Sequence, residues 1–72
     1  MKNYIYREFQ NNEDGCIGMD LLKDENGSLV LICKITFWDA VGQFVVDVQA
    51  EEIPLDLLED FILRVKKFVP LE

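Results

Sequence analysis

The chain contains no histidine, which removes the commonest general base and metal ligand near neutral pH. It also lacks a glycine-rich phosphate loop, a CxxC pair and a nucleophile elbow. Basic residues are scarce: seven Lys and Arg against fourteen Asp and Glu leave a net charge of −7. Phosphate binding needs clustered Lys and Arg, so direct contact with nucleic acid is not expected. The apolar runs are short and broken by charge, so no membrane span is expected. The start, Met1-Lys2-Asn3-Tyr4, has one basic residue and no apolar stretch of the signal-peptide kind. A cytoplasmic location follows by default.

Cysteine is limited to Cys16 and Cys33. They fall on opposite faces of neighbouring strands, so no disulfide between them is expected, and both read as small buried hydrophobes in a reducing compartment. The acids cluster at turns, where solvation accounts for them. Asp24-Glu25-Asn26-Gly27 matches the middle of a calcium loop, but Leu22 and Cys33 occupy its first and last ligand positions. No cofactor or metal is expected.

What the chain has is alternation. From Leu29 to Trp38 the odd positions Leu29, Leu31, Cys33, Ile35 and Phe37 are apolar; from Gln43 to Ala50 the even ones are, at Phe44, Val46, Val48 and Ala50. Successive strand side chains point to opposite faces. Placing both sets on one side requires Phe37 opposite Phe44, Ile35 opposite Val46 and Cys33 opposite Val48. That register leaves the loop Asp39-Ala40-Val41-Gly42, with Gly42 free to take the positive φ its last position needs.

Before this hairpin, Asn3 to Gln10 and Cys16 to Lys23 read as strands. In the first, Tyr4 and Tyr6 compete with Ile5 and Phe9 for the core. In the second, Ile17, Met19 and Leu21 form the apolar set. Asp24-Glu25-Asn26-Gly27 is expected to be a type I turn with a glycine bulge at Gly27. That pairs Asp24 with Ser28, and hence Leu21 with Leu31, Met19 with Cys33 and Ile17 with Ile35.

After Glu51-Glu52-Ile53, Pro54 suits the first turn of a helix. Leu58, Phe61, Ile62, Val65, Phe68 and Val69 recur at helical spacing. Acids early and Arg64, Lys66 and Lys67 late agree with the helix dipole. The helix is expected to cover Leu31, Cys33, Ile35, Val46 and Val48, and Pro70 to end it. The expected fold is α+β: a four-stranded antiparallel β-meander with one C-terminal α-helix packed on one face. Residues 1–70 form this single domain. Leu71-Glu72 resemble residues added ahead of a C-terminal affinity tag.

The face away from the helix is not fully polar on this reading. It carries Leu22, Val30, Ile32, Trp38 and Val45, interleaved with Asp20, Lys34, Thr36, Asp47 and Gln43. Apolar groups rimmed by charge mark binding surfaces, and tryptophan is enriched at interface hot spots. The candidate interface is therefore Leu22, Val30, Ile32, Lys34, Trp38, Val45 and Asp47. The expected function is a small, acidic, non-catalytic protein-binding module, acting as a homodimer and on a further, unidentified protein. Inhibitors, immunity or antitoxin-like proteins and accessory subunits have such a size and charge. A second expectation is a nucleic-acid mimic that blocks a basic groove, and a third is a small enzyme that uses carboxylates alone.

Overall fold

The computed structural model describes residues 3–69. Four strands, β1 (Tyr4–Asn11), β2 (Cys16–Glu25), β3 (Ser28–Trp38) and β4 (Gln43–Val48), lie in the order β1-β2-β3-β4, each antiparallel to its neighbour. One helix, α1 (Leu55–Phe68), follows. The α+β meander expected from the alternation is the observed fold. The expectations at Pro70 and at Leu71-Glu72 lie outside the described residues. No helix among the described residues is long and apolar enough to cross a membrane.

The β3–β4 register is the expected one: Phe37 faces Phe44, Ile35 faces Val46 and Cys33 faces Val48. The Phe37 and Phe44 rings meet with centroids 5.0 Å apart, and Gly42 closes the loop at φ 65°.

The β2–β3 register differs. Asn26 and Gly27 have φ of 55° and 90°, the two positive values of a two-residue type I′ turn. Glu25 therefore faces Ser28, and the Asp24 carboxylate accepts a hydrogen bond from the Gly27 N–H at 2.9 Å. Alone, this tighter turn would shift β3 by one residue and bring Asp20 opposite Cys33. A bulge prevents that: Leu22 faces Leu31, Leu21 faces Cys33, and Ile32 is the extra residue between them. Beyond the bulge Met19 faces Ile35 and Ile17 faces Phe37, so Ile17, Met19, Leu21, Cys33, Ile35 and Phe37 keep their expected face with different partners.

The turn makes a direct prediction. At Gly27 a β-carbon would meet nothing within 4 Å, so the cost of a side chain there is backbone strain alone. Gly27→Val is expected to lose about 1–2 kcal/mol, and Glu25→Ala almost nothing. Thermal melts of the two variants check this, and equal melting points would contradict the turn.

The bulge exchanges the faces of β3 residues on its hairpin side. Leu29 and Leu31, read from the sequence as core, move to the helix-free face. Val30 moves to the helix side opposite Lys23, and Ile32 joins the core. The ambiguity in β1 is also resolved: Tyr6 faces Leu21 and Tyr4 faces Lys23 on the helix side, while Ile5 and Phe9 lie on the other.

The core consists of Met19, Leu21, Ile32, Cys33 and Ile35 against Phe61, Val65 and Val69. Burial raises the pKa of the Cys33 thiol, with a smaller contribution from Asp47. Cys16 and Cys33 are both free thiols. The helix packs chiefly on β2 and does not cover β4, so Val46 and Val48 are each 52% exposed on the helix side. The expectation that α1 covers these valines is thus corrected. Tyr6 fixes the helix position: its ring stacks on Phe61 at 5.9 Å and its hydroxyl donates to Asp60 at 2.8 Å, drawing α1 towards β1.

Candidate functional site

Two regions gather chemistry-bearing side chains. The first is the groove between β1 and the start of α1, lined by Tyr4, Tyr6, Pro54, Leu57, Asp60 and Arg64. The Asp60 carboxylate accepts hydrogen bonds from Arg64 Nε and the Tyr6 hydroxyl, each at 2.8 Å. The Arg64 guanidinium also lies over the Tyr6 ring at 4.3 Å. The bond from Arg64, then that from Tyr6, holds the Asp60 pKa below its usual value. Burial, then the Asp60 carboxylate, pushes the Tyr6 phenol up. These contacts join Tyr6 of β1 to Asp60 and Arg64 of α1, so the cluster clasps the helix to the sheet.

The second region is the helix-free face. Direct pairing across the strands arranges it in rows. Ile5, Leu22 and Leu31 form one row; Arg7, Asp20, Lys34 and Asp47 the next; then Phe9, Gly18, Thr36 and Val45; and last Asn11, Cys16, Trp38 and Gln43. The second row crosses the whole sheet with alternating charge, plus, minus, plus, minus, between apolar rows.

Its centre is Asp20, whose side chain is only 7% exposed. Arg7 donates from Nε and Nη2 to Oδ2 at 3.2 and 3.1 Å. Lys34 Nζ stands 4.0 Å from Oδ1, which is buried and has no hydrogen-bond partner among the described residues. Lys34 also lies 5.0 Å above the Phe9 ring, a cation–π contact. Phe9 in turn sits over Gly18, the one position in β2 with no side chain to displace it.

Of the candidate interface residues, Lys34, Trp38, Val45 and Asp47 lie on this face as expected. Trp38 is 36% exposed and Val45 is also open. Leu22 lies there but is buried between Ile5 and Leu31. Val30 and Ile32 do not belong to the face, because the bulge turns them to the helix side. Sequence reasoning missed Ile5, Arg7, Phe9, Leu29 and Leu31. The signal for the two leucines was the Asn26-Gly27 dipeptide, which favours the two-residue turn that makes the bulge necessary.

The two cations and two carboxylates of the row cancel. The chain's excess acidity therefore lies elsewhere, at the turns and at exposed Glu51, Glu52, Asp56 and Glu59. Among the described residues no group of three or more Cys, Asp or Glu is placed to hold a metal ion. No family model, curated protein or solved structure matches the chain.

Proposed function

We propose that this chain is a small non-catalytic protein-binding module that works as a homodimer through its helix-free sheet face. Exposed Trp38 and Val45 beside a charged row whose central carboxylate is buried carry this reading. An ordinary solvated sheet face alternates apolar-in with polar-out, whereas this one presents apolar rows on both sides of a neutral ion row. Such a surface favours a partner that is itself apolar and charge-balanced, and a second copy meets that description. The roles that fit are those of an inhibitor, an immunity or antitoxin-like protein, or an accessory subunit that engages a further protein.

Light scattering at micromolar concentration tests the assembly, with Trp38→Asp as the comparison. The wild type is expected to run at twice the chain mass and the variant at the chain mass. Association should persist in added salt, because the contact is largely apolar. A monomeric wild type, or a variant that dimerises equally well, would rule the face out.

A further inference from the structure

From the order of charges in the central row we infer the symmetry of the dimer: its two-fold axis runs parallel to the strands, between β2 and β3. This rests on the homodimer reading above and adds to it which residues meet.

Two copies can stack face to face about either of two axes lying between the sheets. An axis perpendicular to the strands and running along the charged row lays that row on itself without reversal, so Arg7 meets Arg7 and Asp20 meets Asp20, and it exchanges the rows on either side. An axis parallel to the strands reverses each row. The sequence Arg7, Asp20, Lys34, Asp47 then lies against Asp47, Lys34, Asp20, Arg7 of the second copy, and every charge meets its opposite. Like charges in direct opposition across an interface are strongly unfavourable, so the charge order selects the parallel axis.

Two further observations agree with this axis. The Asp20 side chain is almost shut off from solvent, and the reversed row sets Lys34 of the second copy, a cation, over this carboxylate rather than a second carboxylate. The same reversal sets Phe9 against Val45 and Trp38 against the small Cys16, while the row of Ile5, Leu22 and Leu31 meets its own apolar copy. At about 4.8 Å between strands and about 6.7 Å between rows, the face covers roughly 500 Å² per copy. Two copies would bury about 1,000 Å², the least a biological interface should clear and below the roughly 1,200 Å² at which stable ones begin, so the assembly needs all the rows in register.

Asp47→Lys tests the axis. Asp47 is exposed and among the described residues its side chain is bonded only to Gln49, so the fold should survive, as a melt followed by circular dichroism will verify. In the reversed row the introduced lysine meets Arg7 at both ends of the interface. The dissociation constant of the variant homodimer, measured by sedimentation, is expected to rise at least about tenfold. An equimolar mixture with wild type, which holds one such clash, should fall between the two parents. Adding Arg7→Glu to Asp47→Lys makes the row complementary again, and the dimer should return. If that double variant does not fold, the graded series of wild type, mixture and Asp47→Lys decides alone.

The perpendicular axis gives the opposite pattern, because it sets position 47 against itself. Asp47→Lys alone would then change little, and the mixed dimer would be tighter than either parent. Either result overturns the inferred symmetry, and if Trp38→Asp still dissociates the wild-type dimer the choice of face stands. A monomeric wild type overturns both.

Discussion

Phe61→Ala is expected to bring the chain to the edge of unfolding. Phe61 is fully buried and is the largest such side chain in the protein. It stacks on Tyr6 from β1 and joins the cluster of Leu21, Cys33 and Val65, so its removal empties the junction of helix and sheet. Truncating a buried phenylalanine costs about 3–5 kcal/mol. A single core in a domain of this size supplies only about 3–5 kcal/mol in total, so the loss is comparable to the whole. The melting temperature should fall by about 12–40 °C, at roughly 4–8 °C for each kcal/mol in so small a domain. Leu63→Ala, on the exposed outer side of the same helix, should change it by less than about 3 °C. Both melts belong at one protein concentration, because self-association adds to apparent stability. A Phe61→Ala variant that keeps most of the wild-type melting temperature would contradict the packing of α1 on the sheet.

That core was largely legible in the sequence. Period-two alternation in β3 and β4 specified their register, since a slip by one residue would turn Lys34 and Thr36 inward. The helical stripe from Leu58 to Val69 likewise named Phe61, Val65 and Val69 as buried, as they are. Alternation also dictated that Leu21, Met19 and Cys33 share a face. It could not dictate which residue faces which across β2 and β3, because registers two residues apart give the same faces. The observed chain uses that freedom: a tighter turn moves the register by one and the Ile32 bulge by one more. The position of α1 over the sheet was not legible either. It depends on Tyr6 reaching Asp60 and Phe61, a contact between the first strand and the last element.

The candidate face was legible in its half beyond the bulge. Lys34, Trp38, Val45 and Asp47 follow strict alternation from the β3–β4 loop and fall where alternation puts them. The error is confined to Leu29–Ile32, on the hairpin side of the bulge, where each residue takes the opposite face. The alternating charge row became visible only when β1 joined the sheet with Arg7 opposite Asp20. Nothing in the strand Asn3 to Gln10 settles its face locally, since tyrosines and aliphatic residues compete for the core at adjacent positions.

Gly18→Ala is expected to be nearly as damaging as Phe61→Ala, although it adds only one methyl group. Gly18 is the third residue of β2, in the row of Phe9, Thr36 and Val45. A β-carbon there would collide with the carbonyl oxygen of Ile35 and stand 2.7 Å from the Phe9 ring. The ring can turn aside, but the carbonyl belongs to the β2–β3 ladder and cannot move without breaking it. Overpacking typically costs about 1–3 kcal/mol. With backbone as the obstacle the upper end applies, about 3 kcal/mol, or a fall of about 12–24 °C in melting temperature. Gly42→Ala separates this steric cost from the strain of a special backbone angle. Gly42 has φ 65° but open space around it, so alanine there should cost only about 1–2 kcal/mol. Adding Phe9→Leu to Gly18→Ala relieves the ring contact and should recover only a minor part of the loss. If Gly18→Ala melts no lower than Gly42→Ala, β2 and β3 do not approach as closely as the structure shows. If Phe9→Leu restores full stability, the obstacle is the ring and not the Ile35 carbonyl.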